Sequence, residues 1–99
     1  MKTKKEEYID KIAKDLKEVS ATIDEFEARA ARVKMELQEE LGDRLVELKE
    51  KRDQLEGSLR ELKGAAGTAW DVMQAGIEKA KQDLTGSFRA ARDVFKRAA

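Results

Sequence analysis

Apolar side chains recur along the first two thirds of the chain at steps that alternate between three and four: Ile9, Ile12, Leu16, Val19, Ile23, Phe26, Ala30, Val33 and Leu37. That spacing marks the apolar seam of a heptad helix. Leu41 and Leu45 follow at two steps of four before alternation resumes at Leu48, so the count gains one residue. Insertions of this kind change the supercoil locally. Gly42 and Asp43 fall inside the irregularity and mark the place where a bend can form. The seam then continues through Arg52, its one charged member, to Leu55, Leu59 and Leu62. With no Pro in the chain and Gly42 as the one Gly at the irregularity, the pattern predicts a continuous helix over about 4–63.

Lys63-Gly64-Ala65-Ala66-Gly67-Thr68 punctuates the pattern. Two closely spaced glycines can end a helix through left-handed backbone angles. Thr68, with Asp71 three residues on, then resembles a capping pair that opens a second helix. A turn is expected at 64–68 and a helix over about 68–98. In that helix Ala66, Ala69, Met73, Ile77, Ala80, Leu84, Phe88, Ala91, Phe95 and Ala99 repeat with a period of eleven residues. A period near 3.67 residues per turn keeps an apolar stripe almost straight.

These elements predict a single all-α domain over 1–99: a long heptad helix, a Gly-rich turn, and a shorter antiparallel amphipathic helix closing a helical hairpin. Leu55, Leu59 and Leu62 are expected to pack on Trp70, Met73, Ile77, Leu84, Phe88 and Phe95. A helix of about 60 residues is roughly 90 Å long, and one of about 31 roughly 46 Å. The shorter can therefore cover the longer only from about Val33 onward. Ile9, Ile12, Leu16, Val19, Ile23 and Phe26 would face water, at roughly 1.5 kcal/mol or more per side chain left unburied. The expected remedy is a homodimer or larger oligomer with those residues at its interface. The competing arrangement is a monomeric three-helix bundle broken at Gly42.

Composition narrows the chemistry. The chain of 99 residues has no Cys and no His, which removes disulfides and the usual zinc, haem and copper ligands. No nucleophile–base pair of the Ser–His or Cys–His kind can form. Glu36, Glu39, Glu40 and Asp43 cluster, but carboxylate metal sites in helical bundles add His, and a solvated acidic face is expected instead. The two turn glycines are not followed by Gly-Lys-Ser/Thr, so they form no phosphate loop. No catalytic residue, metal or cofactor is expected.

Charge adds little direction. The 21 basic and 21 acidic residues cancel, against the basic excess usual in nucleic-acid binders. Outward pairs four apart (Glu7/Lys11, Asp10/Lys14, Glu25/Arg29, Glu47/Lys51, Glu56/Arg60) support a solvated helix. From Gly76 onward, six basic residues face three acidic ones beside Ile77, Leu84, Phe88 and Phe95. That stretch suits a membrane-surface helix as an alternative to a plain amphipathic one. The charged N-terminus and the lack of a long apolar run predict neither a signal peptide nor a membrane anchor, and a cytoplasmic protein. Trp70, the one Trp, is expected to pack across the turn near Leu59 or Leu62.

The run Glu61-Leu62-Lys63-Gly64-Ala65-Ala66-Gly67-Thr68-Ala69-Trp70-Asp71, between a heptad helix and an eleven-residue repeat containing Ala75-Gly76-Ile77-Glu78-Lys79-Ala80, resembles the small bacterial coiled-coil proteins described as stress-response or apolipoprotein-like. The chain departs from them at Thr68 and Lys81, where those proteins often place an Asp and a second Trp. The resemblance implies a stress-associated protein without catalytic residues. Two functions follow: a self-associating scaffold with protein partners, or a lipid-surface binder acting through the C-terminal repeat.

Overall fold

The computed structural model describes residues 1–98, and they are all-helical: α1 (Lys4–Ala30), α2 (Met35–Lys63) and α3 (Thr68–Ala98). Thr3 opens α1, its hydroxyl oxygen accepting from the Glu6 N–H at 3.1 Å and its hydroxyl donating to the Glu6 carboxylate at 3.2 Å. The Thr3-x-x-Glu6 spacing is that of a capping box, with Glu6 bonding the hydroxyl instead of reaching back to the backbone. At the other junction Gly67 has φ +58, a left-handed angle that only Gly adopts without strain. Gly64 stays right-handed at φ −97, so one glycine makes the reversal, not two. Thr68 is the first residue of α3, and Gly67 holds the position before it.

The continuous helix expected over 4–63 is interrupted, and not at Gly42. The break lies at Ala31–Lys34, where no Gly or Pro occurs. Lys34 takes an extended conformation (φ −56, ψ 142), and no side chain caps α2 behind it. Local propensity favours helix through these residues; packing overrides it. Breaking the helix forfeits about four backbone hydrogen bonds, of order 1 kcal/mol each net. Folding α1 back buries Ile12, Ile23 and Phe26 almost completely, at about 1.5–3 kcal/mol each. Tyr8, Ile9, Ala13, Leu16 and Val19 add partial burial. Burial wins, and one chain closes on itself.

The result is an up-down-up arrangement in which α1 and α3 run parallel, each antiparallel to α2. It measures 50 × 24 × 17 Å. Gly42 and Asp43, marked as the place where a bend can form, sit inside an unbroken α2, between buried Leu41 and Leu45. In α3 the buried positions are Trp70, Ile77, Leu84 and Ala91, seven apart, then Ser87 and Val94, with Phe88 and Phe95 beside them. Ala66 and Ala69 of the eleven-residue stripe are exposed, and Ala99 lies outside the described residues. The stripe therefore starts to count only from Met73, where it overlaps the seven-residue steps.

Gly42 is a helix-interior glycine with open space where a Cβ would stand. Gly42→Ala removes its backbone entropy cost without a clash. The variant is expected to gain about 0.5–1 kcal/mol of stability, read as a higher midpoint in chemical denaturation. A loss of stability would mean that α2 bends at this position.

Candidate interaction surface: the seam between α1 and α3

The three helix pairs do not pack equally. α2 and α3 approach most closely, α1 and α2 less so, while the backbones of α1 and α3 stay apart along most of their length. Long side chains bridge that gap. Near the start of both helices, Tyr8 meets Trp70 edge-on, with ring centres 6.0 Å apart, and Lys5 lies 5.1 Å over the indole. The Tyr8 hydroxyl donates to Glu78 Oε2 at 2.5 Å. Midway, Lys81 pairs with Asp15 at 3.4 Å. Near the far ends Phe26 sits edge-on to Phe88 (5.7 Å) and Phe95 (5.2 Å). The Arg29 guanidinium covers Phe95 at 4.2 Å, and Arg92 lies 5.9 Å from the Phe26 ring.

Between these bridges the seam opens into a groove of about 420 Å³ with Val19, Leu55, Leu84 and Phe88 as its apolar lining and Lys11, Asp15, Glu18 and Arg92 among its charged lining. On the other flank of α1, Leu16, Ala13 and Leu59 line a second groove of about 550 Å³, with Lys17, Asp24 and Arg52 also lining it. α1 is thus covered along one face and bordered by an open channel on each side.

The polar chemistry within reach is that of fastening. Lys51 Nζ donates to the buried Ser87 hydroxyl at 2.6 Å, Ser87 donates to Glu47 at 3.3 Å, and Lys51 pairs with Glu47 at 3.0 Å. A Ser–Lys pair can be a nucleophile and its base only if the amine has a free lone pair. Here Lys51 is the donor and a carboxylate stands against it, so the trio ties α2 to α3. Further clasps join Lys49 to Glu27 at 2.6 Å and Arg97 to Glu40 at 2.6 Å. Of the five same-helix charge pairs read from the sequence, Glu47–Lys51 is an ion pair here, at 3.0 Å, while Lys49–Glu27 and Arg97–Glu40 link different helices at 2.6 Å. No group of His, Cys, Asp or Glu among the described residues is placed to hold a metal ion, and no helix is long and apolar enough to cross a membrane.

The clasps leave electrostatic signatures. The hydrogen bond from Tyr8 holds the Glu78 carboxyl below its ordinary range, helped by Lys81 and Lys11 against partial burial. The hydrogen bond from Lys51 does the same for Glu47. Burial, and then Glu78, push the Tyr8 phenol well above its ordinary value.

The residues expected at an oligomer interface fall in two groups. Ile12, Ile23 and Phe26 are buried within the chain itself, whereas Ile9, Leu16 and Val19 are half-buried, Leu16 and Val19 opening onto the grooves. The premise that this stretch lacks an internal partner is therefore corrected: α2 and α3 cover it, because the chain reverses at Ala31–Lys34. Leu55, Leu59, Leu62, Trp70, Ile77, Leu84, Phe88 and Phe95 join one core, with Met73 packed against it. Trp70 shares that core with Leu59 and Leu62 but also takes Tyr8 of α1 as a partner, which required knowing that α1 folds back. Ser87, Tyr8 and Val94 escaped the sequence reading. The seven-residue step from Ala80 to Ser87 to Val94 was the available signal, hidden because Ser87 is polar. No protein family, curated protein or solved structure matches the chain.

Tyr8 is the single Tyr, so the absorbance of its phenolate reads this seam directly. Its ionisation is expected above 10.0. Because the folded phenol binds its proton more tightly than the unfolded one, the Tyr8 contribution to stability is present below 10.0 and lost as pH rises through the folded value. Glu47 and Glu78 act at the opposite end: their contributions are present above 4.5 and lost as pH falls through their lowered values. Tyr8→Phe should remove the Tyr8 part of the alkaline decline, making it shallower, and cost about 1 kcal/mol. An ordinary titration near 10.0 in the wild type would show that the Tyr8–Glu78 clasp is not made in solution.

Proposed function

We propose that this chain is a non-enzymatic helical scaffold that acts by helix–helix association, first with further copies of itself and then with protein partners. The observation that supports this most is the state of α1: one face is packed, and half-buried Leu16 and Val19 open onto channels on its two flanks. Channels of this kind, apolar and edged with charge, suit an amphipathic helix laid into a groove. The polar groups nearby are committed to fastening the helices, which leaves no reactive pair for catalysis. The heptad register of the sequence supplies the helix–helix contacts of such a scaffold, and the stress-associated role implied by the resemblance is the setting we assign to it.

A second reading has its own support. Phe26 and Phe95 at one end of the bundle carry Arg29 and Arg92, with Arg32 and Lys96 beside the same surface. Aromatic rings with cations around them suit an anionic lipid surface. The apolar stripe itself is inside the bundle, however, so lipid binding through it would require the helices to separate. The scaffold reading predicts full helicity in buffer and no co-sedimentation with anionic phospholipid vesicles. Co-sedimentation with a shift in Trp70 fluorescence would favour the lipid reading.

Light scattering over a concentration series tests the main proposal. The expected result is a mass that rises from the 11.2 kDa chain to an integer multiple of it. A mass that stays at one chain at every attainable concentration would overturn self-association.

A further inference from the structure

We infer that the self-association occurs by exchange of α1: Ala31–Lys34 is a hinge that straightens, α1 and α2 become one helix, and α1 takes its place on the α2–α3 hairpin of a second copy. The inference rests on the self-association proposed above and names its route.

Four features of the hinge and its surroundings support it. Ala31, Arg32, Val33 and Lys34 contain no helix breaker, and three of the four, Ala31, Arg32 and Lys34, are good helix formers. The bent form is poorly fastened. Arg32 and Val33 donate to Arg29 and Ala30 at 3.0 and 3.4 Å, and Gln38 donates its side-chain amide to the Val33 carbonyl at 3.1 Å, but Lys34 offers α2 no side-chain cap. The Met35 and Glu36 N–H groups have no backbone acceptor among the described residues; in a straight helix the Ala31 and Arg32 carbonyls supply one to each.

The apolar spacing is also in phase across the hinge. Ala30, Val33 and Leu37 continue the steps of three and four without interruption, so straightening leaves the stripe on one face. Finally, α1 is the element that can leave. It meets α3 through side chains alone along most of the seam, and the α2–α3 hairpin holds the closest packing.

Exchange sacrifices no packing contact. Each α1 finds in the second copy the same partners it left: Phe26 between Phe88 and Phe95, Asp15 at Lys81, Tyr8 at Glu78. Only the hinge differs, and concentration sets the balance. Two straight helices would run antiparallel and cross at residues 31–34. The dimer would then be about twice the 50 Å length of the closed chain, consistent with a continuous helix of roughly 90 Å at its centre.

Met35→Pro separates the two forms. Met35 is the first residue of α2, its side chain is 84% exposed, and Lys34 before it already has the extended angles that a following Pro favours. The closed chain accepts the substitution. A straight helix does not, because Pro would lack the N–H for Ala31 and collide with that carbonyl. The expected result is that the wild type shows dimer in light scattering while M35P, equally helical, shows none at the same concentration. As an independent reading, Asp15→Cys with Lys81→Cys in a chain without other cysteines is joined by a short bis-maleimide linker under dimer conditions. Exchange predicts a covalent dimer on a denaturing gel.

If M35P dimerises as well as the wild type, or the linker joins cysteines of one chain within a confirmed dimer, exchange is overturned and self-association by another face stands. If the wild type never dimerises, self-association itself fails. Should M35P not fold, the linker result alone decides.

Discussion

Everything in this molecule depends on covering the apolar stripe of α1. The stripe is too long for α3 to cover if α1 and α2 form one helix, and leaving it in water costs more than interrupting a helix. The chain therefore bends where its sequence gives no reason to bend. Once Ile12, Ile23 and Phe26 are laid against the hairpin, α1 and α3 are forced parallel, and the remaining features follow from that geometry.

Parallel helices bridged by long side chains do not close their seam as tightly as antiparallel neighbours joined by a short turn. The chain compensates with specific clasps: aromatic edges at both ends of the seam, an ion pair in the middle, and a tyrosine hydroxyl on a carboxylate. The Lys51–Ser87–Glu47 trio does comparable work between α2 and α3, and it satisfies the one buried polar side chain among the described residues. Such polar links add little where exposed. Their stronger effect is on register, since Phe26 can sit between Phe88 and Phe95 only when Asp15 and Tyr8 stand opposite their own partners. The same division of labour explains why the grooves remain: the clasps hold the helices at a distance that the apolar side chains alone do not fill.

Much of this was legible in the residues. The steps of three and four gave the helices and the core positions of α2, and Gly64–Gly67 gave the second turn because a left-handed angle needs Gly at one place, Gly67. The first turn was not legible, since Ala31–Lys34 are ordinary helix residues and the reason for the bend lies in contacts with α3, some sixty residues away in the chain. At Gly42, the place marked for a bend, the helix continues instead: a glycine with free space around it can remain in a helix held by Leu41 and Leu45. The candidate surface was half legible. Ile9 to Phe26 was rightly singled out as a stripe that needs covering, but periodicity says that a face must be buried and does not say whose helix buries it.

α1 is folded back in the single chain, and small-angle scattering of a dilute solution tests that most directly. A closed chain predicts a radius of gyration close to 15.8 Å. A monomer with α1 and α2 in one straight helix of roughly 90 Å would instead give about 25 Å or more. That larger value at a one-chain mass would contradict the account.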